Sequence, residues 1–255
     1  GTFLASDAYL VIANDPGGLA AQHPGITILG PFEGSLSRRS ETVTLRDQHN
    51  KPADTLRYFD GGKWPSKADA GGSTMELIDP EADNSLPGAW ANSDELSRTS
   101  WQNYSFRATA SSSTVGPDNQ WREFVLGMLE DGEVLIDDLT VTEDPDGSAV
   151  AFIADGTFES GNLNSWRALG THRDAIIVPD PDGGGNVLRL NAIGSTGHMH
   201  NHLETTLRNN ESVVNGQEYE VSFRARWLSG NHLLHTRLYF NRIPHTFHLE
   251  RPDLF

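Results

Sequence analysis

Residues 132–161 read GEVLIDDLTVTEDPDGSAVAFIADGTFESG, and this stretch decides the fold. The apolar run at 134–141 predicts a buried β-strand with acidic residues in its middle, and the turn residues PDG at 145–147 end it. Residues 150–153 predict the next strand, which runs into a glycine turn, an aromatic residue and an acid at 155–159. The stretch therefore predicts two strands joined by a turn, with two groups of carboxylates.

The composition favours an all-β protein of two domains. The chain has 255 residues, with 25 glycines and 13 prolines between short apolar runs, and helical periodicity is nowhere sustained. Cysteine is absent, which excludes disulfides and thiolate metal sites. The formal net charge of -16 argues against nucleic acid as a partner, and no apolar run is long enough for membrane insertion.

Residues 1–96 predict a β-sandwich that lacks its first strands. In SETVTL at 40–45 polar and apolar residues alternate, so Val43 and Leu45 should be buried on the side opposite to Thr42 and Thr44. The chain begins with Gly1 in place of Met and soon reads as a strand, so we expect it to be joined to other domains of a longer polypeptide. The strand patterns lie at 9–13, 26–29, 40–45, 55–58 and 74–78.

This first part resembles a bacterial lamin tail domain. The resemblance covers residues 3–93 and is carried by YLVIAND at 9–15, GSLSRRSETVTLRDQHNKPADTLRY at 34–58 and WPSKADAGGSTMELIDPEADNSLPGAWANS at 64–93. It implies an immunoglobulin-like β-sandwich with a role in interaction or anchoring. The motif of the Glu-Leu-Tyr-Asn type that normally begins such domains is missing, which predicts an exposed sheet edge.

Residues 97–255 predict a second β-domain. The strand pattern at 121–129 places Phe124, Leu126 and Met128 on one side of a strand. Glycine turns separate the strand patterns that follow, which lie at 176–178, 187–191, 200–206, 219–227, 233–240 and 246–249.

This second part resembles the galactose-binding-like jelly rolls that serve as carbohydrate-binding modules. Motifs that usually close such a domain, WQNYSF at 101–106 and IDDLTV at 136–141, come before the opening motif DGTFE at 155–159. Either residues 97–255 form one circularly permuted jelly roll, or 101–146 and 148–255 belong to two partial ones. We favour permutation, because neither part alone would bury its sheet faces. The resemblance also implies a bacterial cell-surface or secreted protein.

The same resemblance implies a structural calcium ion where the opening and closing strands meet. In such jelly rolls an acid from each strand joins backbone carbonyls around the ion, which prefers several hard oxygen ligands. The matching residues are Asp138 and Glu159, with Asp137 as a weaker candidate. The alternative is that these acids are solvated or bind the neighbouring turn.

Three histidines form a separate candidate metal site. His198, His200 and His202 recur with period two, so on a strand their imidazoles would project from one face, which Glu204 continues. Neutral imidazoles suit zinc, copper or nickel. The alternative is a polar strand face, or packed histidines whose hydrogen bonds are satisfied.

A third group of residues predicts a ligand-binding face. Arg224, Arg226 and Arg237 alternate with apolar residues and suit hydroxyl or carboxylate ligands, while Trp227 and Tyr239 are aromatic rings on which a sugar could stack. A solvated sheet face and a packed core are the alternatives for the arginines and the aromatic rings.

The sequence carries no motif for catalysis. It lacks a nucleophile elbow, a phosphate-binding glycine loop and HExxH, and on a regular strand Asp137 and Asp138 would point to opposite sides. We therefore expect no enzyme but a non-catalytic module that binds a glycan or a surface protein. The alternatives are a structural spacer that holds calcium and a metal-dependent enzyme that uses the histidines.

Overall fold

The computed structural model describes residues 3–5, 8–69, 72–111, 122–197, 200–239 and 241–252. It confirms the all-β class, since the described elements are seventeen β-strands, one α-helix and five short 3-10 helices. The chain divides into two compact units, the first formed by Gly1–Pro65 and Leu77–Ala91 and the second by Ser66–Glu76 and Asn92–Phe255. Residues 66–76, which the sequence assigns to the first domain, thus group with the second unit.

The early part of the chain forms three small sheets. The parallel pair is β1 with β2, and the antiparallel hairpin is β3 with β4; β5 pairs with β6. A short helix, α1, follows β1; Asp15 caps it by accepting a hydrogen bond from the amide of Gly18 at 3.0 Å. The elements are β1 Val11–Ile12, α1 Pro16–Gln22, β2 Ile28–Leu29, β3 Ser40–Arg46, β4 Pro52–Phe59, β5 Met75–Leu77 and β6 Trp90–Asn92.

The first unit has a small core. Among its described residues Trp64 is the only apolar residue that is buried, and its ring lies 6.3 Å from Phe59 and 6.2 Å from Trp90. The expected burial of Val43 and Leu45 is wrong, since these side chains are 45% and 59% exposed. Alternation predicts a buried face only where a second layer covers the sheet, and the β3–β4 hairpin pairs with no other described strand.

The second unit contains two antiparallel sheets. One sheet has six strands in the order β12-β13-β9-β15-β7, with β10 beside β9, and the other has five in the order β11-β14-β8-β16-β17. The strands are β7 Gln102–Thr109, β8 Glu123–Met128, β9 Gly132–Glu143, β10 Val150–Ala151, β11 Trp166–Ala168, β12 Ile176–Pro179, β13 Asn186–Ala192, β14 Leu203–Thr206, β15 Glu218–Gly230, β16 Leu233–Leu238 and β17 Arg242–His248. The 3-10 helices are Ser66–Ala68, Pro87–Ala89, Leu96–Arg98, Gly170–His172 and Arg208–Asn210.

One hydrophobic core joins the two sheets. Phe124, Leu126 and Met128 of β8 pack in the same cluster as Ile136 of β9 and Trp227 of β15, and all five are almost fully buried. Burying one large apolar side chain contributes about 1.5–3 kcal/mol, so alternate residues from both sheets supply the main stabilisation. The predicted placement of Phe124, Leu126 and Met128 on one side of their strand is confirmed.

Strands from before and after residue 147 mix in both sheets. The long strand β9 pairs with β10, β13 and β15, and the amide of Leu139 donates to the carbonyl of Gly156 at 2.9 Å. Phe158 of the opening motif is buried in the core, 5.7 Å from Trp166. A division into 101–146 and 148–255 would therefore separate strands that pair with one another.

A buried histidine, His172, holds the 3-10 helix Gly170–His172 against the end of β8. Nε2 of His172 accepts a hydrogen bond from the amide of Met128 at 2.9 Å, and its Nδ1 lies 3.0 Å from the hydroxyl of Thr171. A Cβ on Gly127 would lie 2.9 Å from the imidazole, so glycine is required for this approach. Burial lowers the pKa of His172 to about 4, and the fold therefore needs the neutral ring.

This burial predicts a pH dependence of stability. Because the folded pKa of His172 lies below the unfolded value of about 6.5, its contribution is complete above that pH and is lost as the pH falls toward 4, up to about 3 kcal/mol. We expect His172→Gln, whose amide oxygen can still accept from Met128, to flatten the decline of the unfolding free energy over this range. Urea unfolding at stepped pH measures it, with the exposed His248→Gln as control; an unchanged decline would contradict the assignment.

Candidate functional site

Three carboxylates surround one arginine on the outer face of the six-stranded sheet. Nη2 of Arg224 donates to Oδ2 of Asp137 at 2.6 Å and to Oδ2 of Asp180 at 2.8 Å, and Nε lies 3.4 Å from Oδ2 of Asp138. The guanidinium also lies 4.3 Å from the ring centroid of Trp101. Asp137 and Asp180 are buried, so the cation compensates charges that are removed from water.

A β-bulge brings Asp137 and Asp138 to the same face of β9. The register between β9 and β15 shifts here, so that Asp138 and Leu139 stand opposite the single residue Phe223. Asp138 has φ of 51°, the left-handed conformation that some bulges require. The expectation that the two acids point to opposite sides is wrong, because the bulge adds one residue to the alternation.

Arg226 lies two residues further along β15 and is buried. Its Nη1 donates to both carboxylate oxygens of Asp182, at 3.1 and 3.0 Å, and its Nε donates to the hydroxyl of Thr99 at 3.1 Å. Nη2 donates to the carbonyl of Leu96. The hydrogen bonds of Arg226, like those of Arg224, are thus made within the chain, and a ligand would have to displace them.

Trp227 faces the core and not the solvent. Its side chain is 1% exposed, and the indole N–H donates to the carbonyl of Gly230 at 3.2 Å. A sugar cannot stack on this ring in the folded protein. The ring contributes to the packing between the two sheets instead.

The acids of the predicted calcium site have partners within the chain. The exposed carboxylate of Asp138 contacts Arg224, and Oε1 of Glu159 accepts a hydrogen bond from the amide of Asn186 at 3.0 Å. In the part of the chain that the structure describes, no group of three or more His, Asp or Glu side chains converges as metal ligands would. Calcium binding by Asp138 and Glu159 stays a prediction.

The outer face of the five-stranded sheet carries a row of side chains across four strands. Arg167 on β11 stands opposite Glu204 on β14, Glu204 opposite Val125 on β8, and Val125 opposite Arg237 on β16. Directly opposed residues project from the same face of a sheet. The row therefore places two guanidinium groups and one carboxylate on a single rigid surface.

Two hydrogen bonds hold Glu204 in this row. Its Oε1 accepts from Nε of Arg167 at 2.7 Å, and its Oε2 lies 3.1 Å from Nε2 of His202. The bonds from His202 and Arg167 outweigh burial and lower the pKa of Glu204 to about 2. Glu204 is therefore ionised and oriented at neutral pH.

The structure describes two of the three histidines of the predicted metal site. His202 is buried beside Glu204, and His200 lies in the turn before β14. His198 lies outside the described residues. Transition-metal binding by the three histidines stays a prediction.

Arg237 and Tyr239 lie together at the end of β16. Both side chains are half-buried, and burial lowers the pKa of Arg237 and raises the pKa of Tyr239. The amide of Tyr239 donates to the carbonyl of Glu123 at 3.0 Å, which extends the strand pairing beyond Leu238. We refer to the surface formed by Arg167, Glu204, Arg237 and Tyr239 as the outer polar face; Val125 and His202 are buried beneath it.

Sequence analysis missed Arg167, Asp180 and Asp182. Arg167 lies in a strand of only three residues, too short for a pattern. Asp180 and Asp182 belong to a turn, and each lies 44 residues from the arginine that it binds, so no periodicity connects them. The alternation of side chains along β15 could have shown that Trp227 lies on the face opposite to Arg224 and Arg226.

Two clefts of about 390 Å³ each share no residue with the outer polar face. One is lined by Lys67 and Asp131, and both are engaged within the chain: Lys67 pairs with Glu133 at 3.0 Å, and Asp131 accepts from Ser66 at 2.8 Å. The other includes Arg208, which donates to a backbone carbonyl at 3.0 Å. The clefts are polar openings, and Lys67, Asp131 and Arg208 in them have partners within the chain.

No family model, curated protein or solved structure matches this chain. In the described ranges, none of the helices has the length and apolar character needed to cross a membrane. Function is therefore argued from the chemistry of the described surfaces.

The arrangement around Arg224 predicts a large and pH-dependent loss of stability in Arg224→Met. Removing one partner of a buried ion pair costs about 3 kcal/mol or more, because the remaining carboxylates lose their compensation. Burial already raises the pKa of Asp137, and the variant raises it further. A raised folded pKa means that the deficit is complete above it and shrinks as the pH falls toward the unfolded value of about 4.

Chemical unfolding at stepped pH checks this prediction. The matched control is Arg107→Met, because Arg107 pairs with Asp146 and Glu220 but is 37% exposed. We expect the control to lose much less stability than Arg224→Met, because solvent screens an exposed ion pair. Equal losses in the two variants, or a deficit in Arg224→Met that ignores pH, would show that the network is not a compensated buried cluster.

EDTA tests the calcium prediction independently. Because Arg224 and the amide of Asn186 already bind the carboxylates of Asp138 and Glu159, we expect the melting temperature to be the same in EDTA and in excess calcium. A decrease in EDTA that calcium reverses and magnesium does not would instead establish a stabilising calcium site.

Proposed function

We propose that the chain is a non-catalytic binding module of a larger secreted or cell-surface protein, and that it binds a glycan on the outer polar face. The row of Arg167, Glu204, Val125 and Arg237 on neighbouring strands is the observation that carries this proposal. Side chains on paired strands keep fixed distances from one another, as recognition of a sugar requires.

The chemistry of the face suits sugar hydroxyl groups. Arg167 and His202 hold Glu204 in place, and Arg237, which has no carboxylate partner among the described residues, supplies N–H donors in fixed planar geometry. Tyr239 adds an aromatic ring beside Arg237. Binding sites for small polar ligands combine a few placed polar groups with apolar or aromatic surface in this way.

The other outer face supports the proposal less well. On the six-stranded sheet, the arginines are already paired with Asp137, Asp180 and Asp182. That network contributes to stability, which is the property expected of a structural spacer. The outer polar face is therefore the better candidate for recognition.

A glycan array with the purified chain tests the proposal. We expect retention of at least one class of glycan, and binding about fivefold weaker or more in Tyr239→Ala, because the loss of ring contact costs about 1 kcal/mol or more. Tyr9→Ala is the control, since Tyr9 is a 91% exposed tyrosine in the other unit.

Melting temperatures distinguish a loss of contact from a loss of folding in Tyr239→Ala. If the wild-type chain retains no glycan but captures a surface protein, the ligand is a protein and the glycan proposal fails. If it retains neither, the structural-spacer alternative replaces it. Equal weakening in the Tyr239 and Tyr9 variants would place the ligand elsewhere.

A further inference from the structure

We infer that the ligand of the outer polar face carries a carboxylate group, and that Arg237 binds it. This inference rests on the proposed function and specifies its ligand as an acidic saccharide, one that contains a uronic acid. The observation behind it is a half-buried guanidinium that has no partner among the residues that the structure describes.

Arg237 differs from five other arginines of the two sheets that pair with carboxylates, and from Arg242, which donates to the carbonyl of Tyr239 at 2.9 Å. Arg107, Arg167, Arg189, Arg224 and Arg226 each form an ion pair with a carboxylate at 3.1 Å or less. Within the described ranges, no carboxylate lies within ion-pair distance of Arg237 and no oxygen accepts a hydrogen bond from it. Its charge interacts with Tyr239 and Glu204 only at longer range.

A half-buried arginine without a described carboxylate partner lowers the stability of the free protein. Burial lowers the pKa of Arg237, which shows that the charged form is partly removed from water. Arginine does not lose its proton at physiological pH, so this cost is not relieved by neutralisation. A residue that costs stability when unbound is typical of a binding site.

Glu204 does not serve as the partner, because both of its oxygens are occupied. Arg167 binds Oε1 and His202 lies beside Oε2, so the carboxylate is held on the far side of Val125. Glu204 stays ionised and its field attracts cations, but the donors of Arg237 remain available to an incoming acceptor.

The shape of the guanidinium favours a carboxylate. Two parallel N–H groups match the two oxygens of a carboxylate, and this bidentate pair is stronger than a bond to a neutral hydroxyl. A phosphate monoester offers similar oxygens, but its dianion is opposed by the net charge of -16 on the chain and by nearby Glu204. A carboxylate on a pyranose ring carries a single negative charge and meets less repulsion; a sulfate monoester has the same charge but lacks the planar pair of oxygens that matches the guanidinium.

Isothermal titration with oligogalacturonate and with its methyl ester tests the inference on the intact chain. Esterification removes the charge and keeps the ring, so we expect at least about tenfold weaker binding of the ester, which corresponds to about 1.4 kcal/mol. In Arg237→Met the two ligands should bind equally weakly. Arg107→Met, which alters an arginine on the other sheet, should keep the discrimination.

A second measurement needs no ligand. Because Arg237 has no ion-pair partner among the described residues, Arg237→Met should melt at the same temperature as the wild type or higher, whereas Arg224→Met should melt lower. A decrease in Arg237→Met as large as that in Arg224→Met would make Arg237 a structural residue and overturn the inference.

The outcomes separate the inference from the proposal on which it rests. Equal affinity for the acid and the ester, or retention of neutral glycans alone on the array, contradicts carboxylate recognition by Arg237 but leaves the proposal of glycan binding intact. No retention of neutral or acidic glycans overturns both. Retention of sulfated glycans in preference to matched uronates assigns Arg237 to a different anion and also overturns the inference as stated.

Discussion

The pairing of β9 with β15 is the constraint on which the second unit depends. These two long strands pair along most of their length, and β9 also pairs with β13 and β10, so it joins the segments before and after residue 147. Core residues come from one face of each strand, and the opposite face aligns Arg224 with Asp137. The bulge at Asp138 adds one residue to β9. As a result Leu139 points into the core, while Asp137 and Asp138 both lie on the outer face.

Much of this architecture could be predicted from the sequence, and the limits have physical causes. The strands of the second unit alternate strongly, and apolar alternation needs only local residues to be recognised. The bulge could not be predicted, because it depends on pairing between strands about 80 residues apart, as the 87 residues between Arg224 and Asp137 illustrate. The hairpin with Val43 and Leu45 shows the converse: a good strand pattern does not supply the second layer that would bury it.

The sequence predicts which types of residue form the candidate site better than it predicts the sheet face on which each residue lies. Arginines and aromatic residues on strands indicate a face with hydrogen-bonding capacity, but the sequence does not say which carboxylates have already paired with them. Arg224 and Arg226 are bound by acids from a turn in another part of the chain. Arg237 and Tyr239 lie on the other sheet, so the five residues proposed for one ligand face divide between two outer faces and the core.

Among the described residues, geometry and not a shortage of acids leaves Arg237 without a carboxylate partner. The chain has 35 acidic residues and 19 basic ones. The acid in its row, Glu204, is instead held by Arg167 and His202, with Val125 between. Strand pairing fixes the backbone positions of this row, which keeps Arg237 and Glu204 on separate strands on either side of β8. The same arrangement would leave the donors of Arg237 for an external carboxylate, and binding would then offset the cost of burying the charged group.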